Sequence, residues 1–389
     1  GGGGSVRGMA TALTPALLAR VRERAPGYDA ANSFFTEDLD ELRAAGYLAP
    51  RSLSAASADQ RLLAAHAPAT ALGLTMHHVW MGVARDLAAA GDPSLQWVLD
   101  DGERGELFAF AISEAGNDRV MSDSLTRVER VSLDGDGDGG AGGWAFTGTK
   151  IFTTLSPAWT RLGVLGRHDP ADGSEPSIVH GFLTREAPGI TITPDWNTLG
   201  MRATQSHTTG LEGAVVTDDR VARILPVGPS GDAYALAIAA NFHTLIASVY
   251  AGIADRALEL AVESAQRRTS MRAGGAPQAH DPDIRWRIAD AALALDALAP
   301  QLHAVVHDRD RGVDRGARWF RDLAGLKHRS VETARHVVDQ AMRISGGGAY
   351  RATAELSRLQ RDVLAGIYHP SDTEAVHATV ATDLLGPLP

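Results

Sequence analysis

Four groups of residues in this chain have types that could bind a metal or a phosphate, and their spacing sorts them. Asp134, Asp136, Asp138 and Gly139 match the first half of an EF-hand calcium loop. The twelfth position is Ala145 instead of the glutamate that closes the coordination shell, so calcium is not expected. His303 and His307 stand four apart on one helix face, as paired metal ligands do, but no third ligand has a defined spacing to them. A solvated helix face is the preferred reading. His77 and His78 are neighbours in an apolar helical stretch, so at most one can face a given cavity, and packing is preferred. Gly346-Gly347-Gly348 follows a helical pattern, whereas the dinucleotide fingerprint follows a strand. It is either a C-cap and turn or bare backbone that a phosphate or ribose approaches closely. There is no Gly-x-Ser-x-Gly elbow of a serine hydrolase. With 0 cysteines, thiolate metal sites and a cysteine nucleophile are excluded.

Composition bounds the elements that must position such residues. The 389 residues are 44% hydrophobic and 22% charged, which is globular, and the length suits about two to three domains. Lys and Arg total 37 against 47 Asp and Glu, a net charge of -10; no cationic field is available to a nucleic-acid backbone, and no such partner is expected. No uninterrupted apolar run approaches the roughly 18–20 residues that span a bilayer. The N-terminus lacks a basic region followed by an apolar one, so no membrane partner and a cytoplasmic location are expected. Residues 1–8, beginning Gly1-Gly2-Gly3-Gly4-Ser5, read as a flexible linker ahead of Met9.

Residues 9–106 carry helical periodicity, clearest from Ala71 to Ala90. Residues 107–228 break into short Val/Ile/Thr/Phe segments such as Arg127–Val131, Trp144–Thr147 and Leu162–Leu165, separated by Gly, Asp and Pro. They predict a β domain. Residues 229–389 return to long helical blocks, Ala233–Arg268, Pro282–Val306, Trp319–Ile344 and Ala352–Leu364, which predict an antiparallel bundle. The fold class expected is α+β multidomain: helical domain, β-barrel or sandwich, four-helix bundle.

Five motifs in order then carry a resemblance. They are Ala111-Ile112-Ser113-Glu114-Ala115-Gly116-Asn117-Asp118, Gly148-Thr149-Lys150-Ile151-Phe152-Thr153-Thr154, Leu199-Gly200-Met201-Arg202-Ala203-Thr204-Gln205-Ser206, Arg268-Thr269-Ser270-Met271, and Ala341-Met342-Arg343-Ile344-Ser345-Gly346-Gly347-Gly348 followed by Arg358-Leu359-Gln360-Arg361-Asp362. From about Ala12 to Gly386 the chain resembles the acyl-CoA dehydrogenase superfamily of FAD enzymes. The resemblance implies that Ser113 bonds the polar edge of the flavin, Phe152 covers a ring face and Thr154 reaches a ring atom. Arg268 and Ser270 are implied at the FAD pyrophosphate, where an arginine fork suits phosphate oxygens. Arg343 stands where the family has glutamine, and Gly346 and Gly347 are implied to reach the FAD of a neighbouring subunit in a homodimer or homotetramer. Ser371 is a further cofactor candidate; Asn117, Arg202 and Arg256 are candidates for orienting substrate.

The family's dehydrogenation needs a carboxylate to remove an α-proton while hydride leaves for the flavin. In most members that glutamate lies in Tyr-Glu-Gly-Thr after Arg-Asp. Here the segment is Ile367-Tyr368-His369-Pro370-Ser371-Asp372, and the alternative position early in the first bundle helix offers Phe242 or His243. Neither is a carboxylate. Three readings follow, with His369 the candidate for the chemical step. The first is α,β-dehydrogenation of an acyl thioester with His369 as base, electrons passing to an electron-transfer flavoprotein. In the second the chain is a two-component flavin monooxygenase, fed by a flavin reductase and using O2. The third is a noncatalytic FAD-binding scaffold.

Overall fold

The computed structural model describes residues 12–133 and 142–388; the Asp134–Gly139 tract and residues 1–8 lie outside these. The chain opens with helices α1 (Pro15–Ala31), α2 (Thr36–Ala44), α3 (Leu53–Ala64), α4 (Pro68–Ala89) and α5 (Gln96–Glu103). Side-chain oxygens of Thr14 and Ser52 cap α1 and α3 by accepting N–H groups of the first turn. α4 is buried along most of its length, as its nearly continuous apolar sequence demands.

Eight strands follow: β1 (Phe108–Ala111), β2 (Arg127–Ser132), β3 (Gly142–Thr153), β4 (Arg161–His168), β5 (Ser177–Thr184), β6 (Ile190–Thr193), β7 (His207–Thr217) and β8 (Val221–Pro226). They form one sheet in the order β6-β7-β3-β2-β4-β5-β8, with β1 parallel to β4. α4 docks on this sheet through Trp80, whose ring meets Phe110 and Phe182 at 4.5 Å and whose indole N–H donates to the Ala109 carbonyl. Gly163 makes room: a Cβ there would lie 2.4 Å from the indole.

The remaining helices are α6 (Ala233–Arg267), α7 (Pro282–Asp310), α8 (Arg318–Ser345), α9 (Glu355–Val363) and α10 (Thr373–Leu385), with a small ribbon of β9 (Thr269–Ser270) and β10 (Ala276–Pro277) after α6. Asp232, Asp281 and Asp372 cap α6, α7 and α10. Among the described residues α6 alone has the length and apolarity to cross a membrane, yet 83% of its most apolar window is buried. It is the core helix, packed on α3, α4, α7 and α8. Polar pins fix its register: Ser57 with Ser248 (2.7 Å), Asn241 donating to Asp86 (2.9 Å) and Ser330 donating to the Ala247 carbonyl (2.6 Å).

Candidate functional site

A cavity of about 430 Å³ opens where the sheet, α4, α6 and the α9–α10 connection meet. The sheet supplies its polar side. Ser113 follows β1 and its carbonyl accepts the Ile151 N–H at 2.9 Å, which ties it to β3. Near the end of β3 the backbone of Phe152 turns to φ +57, leaving its ring 56% exposed and edge-on to Trp196. Thr154, Ser206 and Thr204 form a hydroxyl chain at 2.9 Å per step, ending on the Met201 carbonyl. All of these hydroxyl residues line the cavity.

Behind this wall lies a buried ion pair. Lys150 on β3 donates to Glu114 at 2.7 Å, and Glu114 also accepts from Ser124, Leu125, Thr126 and Asn117. Burial works against the charged carboxylate, but Lys150 and these donors hold Glu114 down at about 2. Glu114 is therefore ionised at neutral pH, and its hydrogen bond with Lys150 clamps the Ser113 loop to the strand that bears Phe152 and Thr154.

The helical side is apolar: Leu72 and Met76 from α4, Phe242 and Ile246 one turn apart on α6, and Leu364 and Ile367 after α9. His369 completes the wall. Its Nε2 lies 2.8 Å from the hydroxyl of Tyr250, which is fully buried on α6. Burial and the neighbouring Lys327 ammonium push His369 down to about 3, so its ring is neutral at physiological pH. Lys327, on α8, holds the loop by donating to the carbonyls of Gly366, His369 and Ser371 at 3.0, 2.8 and 2.8 Å. Its own burial brings it down to about 8. Arg361 also reaches the cavity, but its guanidinium is committed to Asp29 and to the Leu199 carbonyl. No aspartate or glutamate lines the cavity among the described residues.

Of the residues singled out from the sequence, the structure brings Ser113, Phe152, Thr154 and His369 to this one cavity. The other cofactor and substrate candidates lie elsewhere, most with side chains already engaged within the chain. Arg268 donates to the Ile344 and Ser345 carbonyls that end α8, and Ser270 accepts the Ala273 N–H. Arg343 pairs with Asp339 one turn away. Gly346, at φ +66, terminates α8, and Gly347 lies in the turn that follows. Ser371 offers its carbonyl to Lys327. Asn117 supports Glu114 and the Asp123 carbonyl. Arg202 donates to the Asp29 carbonyl at 2.7 Å. Arg256, 8% exposed, is held by Glu355 and Glu259. His77 bonds the Leu48 carbonyl and accepts the Phe108 N–H, a packing role, and the His303 and His307 rings stack on each other. Sequence reasoning gave no role to Trp196, Thr204, Ser206 or Tyr250. Thr204 and Ser206 do sit in the stretch after Leu199 that the resemblance picked out, while nothing in the pattern of α6 distinguishes Tyr250.

Known proteins resemble this chain in sequence and in fold. Residues 244–371 match the family model described as acyl-CoA dehydrogenase, C-terminal domain. YdbM of Bacillus subtilis (strain 168), which carries an acyl-CoA dehydrogenase name, is 28% identical over 339 residues, 81% of this chain and 86% of that protein. L-evernosamine nitrososynthase of Micromonospora is 31% identical over 271 residues, 67% of this chain and 60% of the relative's length. The solved structure of butyryl-CoA dehydrogenase from Megasphaera elsdenii superposes with TM-score 0.80 at 20% identity, covering 97% of this chain and all (100%) of the other. FMN-bound TdsC from Paenibacillus sp. A11-2 gives TM-score 0.81 at 18% identity, covering 96% of each chain. The fold is thus that of an acyl-CoA dehydrogenase-like flavoprotein. Residues 244–371 match an acyl-CoA dehydrogenase C-terminal domain, and the proteins similar to this chain in sequence or fold carry dehydrogenase, nitrososynthase and monooxygenase names.

Proposed function

We propose that this chain is a flavin-dependent monooxygenase that uses reduced flavin, delivered by a separate reductase, and O2 to oxygenate a small, uncharged, largely apolar substrate. The observation that carries the reading is the cavity wall without a carboxylate. Taking hydride from an acyl thioester requires a base for the α-proton, and the residue at the base position, His369, has burial opposing its charged form and Tyr250 on its Nε2. With no carboxylate among the described residues of the wall to take that proton, the electrons come from elsewhere.

The walls fit a flavin ring. The volume lies in the range of small-molecule sites, about 300–1,000 Å³, the Phe152 ring offers an aromatic surface, and Ser113 and Thr154 supply hydroxyls for a polar edge. Reduced flavin supplies two electrons, so that O2 gives one atom to the substrate and one to water. The reading needs only the ring end, common to FAD and FMN; Arg268, Ser270 and Arg343, which the resemblance implied for the adenosine side, are committed within the chain. Leu72, Met76, Phe242 and Ile246 exclude water and accept an apolar substrate. Because Arg361 is neutralised by Asp29, no free cation among the described residues of the wall selects an anionic one.

The test supplies the protein with a flavin reductase, NAD(P)H, FAD or FMN, and a panel of uncharged aromatic and heteroatom-bearing compounds under isotopically heavy O2. One heavy oxygen atom per product molecule is expected. Products free of heavy oxygen across the panel, with electrons passing instead from an acyl thioester to the flavin, would overturn the reading.

A further inference from the structure

We infer that Tyr250 is a positioning residue that fixes His369 as a hydrogen-bond donor, its proton on Nδ1 and facing the cavity. The inference deepens the proposed function, since it assigns the polarity of the one imidazole in that cavity wall.

Tyr250 is fully buried on α6 and does not itself line the cavity. Its hydroxyl is 2.8 Å from His369 Nε2, and no other hydrogen bond of this hydroxyl is found among the described residues. A phenol has one proton to donate. If Nε2 carried the imidazole proton, Nε2–H would donate to the phenol oxygen and the O–H would be left buried without an acceptor, a cost of about 1–3 kcal/mol. If the phenol donates, both groups are satisfied. Lys327, whose ammonium donates to three carbonyls of the same loop, is donor-only and offers the phenol proton no alternative acceptor.

A neutral imidazole has one N–H, so when Nε2 accepts, Nδ1 carries the proton. His369 Nδ1 has no partner among the described residues, yet it is not among the enclosed polar atoms that lack one. It therefore has open surface, and the space that His369 lines is the cavity. The chain thus sets an N–H donor opposite the hydroxyl strip of Ser113, Thr154 and Ser206. A donor there stabilises negative charge developing on oxygen, which a base in the same place would not do.

Nitrogen NMR on protein carrying isotope-labelled histidine reads the tautomer directly, with the His369 signals identified by their absence in His369→Gln. The wild-type ring is expected in the Nδ1–H form, and in Tyr250→Phe it is expected to shift toward the Nε2–H form that free imidazole side chains favour. A wild-type Nε2–H ring would overturn the inference, as would an unchanged tautomer in a folded Tyr250→Phe protein. The wild-type spectrum decides even if that variant fails to fold. Because this readout needs neither O2 nor substrate, its outcome is separate from that of the monooxygenase reading. Under that reading, His369→Asn, which keeps a donor near the Nδ1 position, is expected to retain more product per reduced flavin than His369→Gln; the reverse order would contradict the assigned polarity.

Discussion

A histidine held near pKa 3 donates a hydrogen bond across the physiological range but has little capacity to take a proton from carbon. Turnover should therefore show no acid limb near the ordinary histidine value of 6.5, and His369→Gln should lower kcat by about 10²-fold, the cost of one lost donor at a developing oxyanion. A pH–rate profile with an acid limb near 6.5 that vanishes in the variant would instead mark a base. Lys150→Met leaves Glu114 charged, buried and without its cation, and should cost about 3–5 kcal/mol in denaturant unfolding, with flavin affinity falling as well. A loss below about 1 kcal/mol, the worth of an exposed pair, would show that the clamp contributes little. Residues at strand ends were legible in the sequence because Ser113, Phe152 and Thr154 sit in local motifs, and His369 stood out by replacing an expected carboxylate. Tyr250 was not legible: its importance comes from a contact 119 positions away, and no local spacing encodes that.

The helical elements followed from periodicity. The block read as Ala233–Arg268 is α6 at Ala233–Arg267, and Trp319–Ile344 lies within α8 at Arg318–Ser345, because apolar residues recurring at three and four positions leave one continuous face to bury. Strand order was beyond reach. The path β6-β7-β3-β2-β4-β5-β8 joins segments distant in sequence, and the parallel pairing of β1 with β4 leaves no turn signature between them. The cavity depends on close approaches that only glycine allows. At Gly252 a Cβ would lie 2.1 Å from the Arg61 carbonyl, so α6 and α3 meet backbone to backbone. Gly252→Ala should destabilise by about 1–3 kcal/mol, read from the denaturant midpoint; an unchanged midpoint would show that the two helices separate freely. At Gly200 a Cβ would lie 2.2 Å from the Arg361 carbonyl, so its absence lets the Leu199–Met201 wall sit directly on α9, which is why a motif residue with no reactive group matters to the site.

At the scale of the whole molecule, several buried imidazoles make folding sensitive to acid. His77 and His243 are lowered to about 4 and His180 and His369 to about 3, in each case chiefly by burial. A folded-state pKa below the unfolded 6.5 means that unfolding takes up protons, so stability is present above 6.5 and is lost as pH falls toward 4. Each fully buried ring contributes up to about 1.4 kcal/mol per pH unit in that window. Asp362, raised to about 6 by burial, and Asp38, also raised by burial, oppose them with the reverse sign but are fewer than the lowered rings. Denaturant midpoints should therefore fall steadily from pH 6.5 to 4, and a flat profile would mean these rings are hydrated. The same molecule joins an acyl-CoA dehydrogenase fold to a site without a carboxylate base, and the source of the electrons decides between the two chemistries. The most direct measurement is an anaerobic titration of flavin-loaded protein with a panel of acyl-CoA thioesters, following the flavin's visible absorbance. The account predicts that no thioester bleaches the flavin while a reductase with NAD(P)H does; bleaching by any thioester, abolished in His369→Ala, would contradict it.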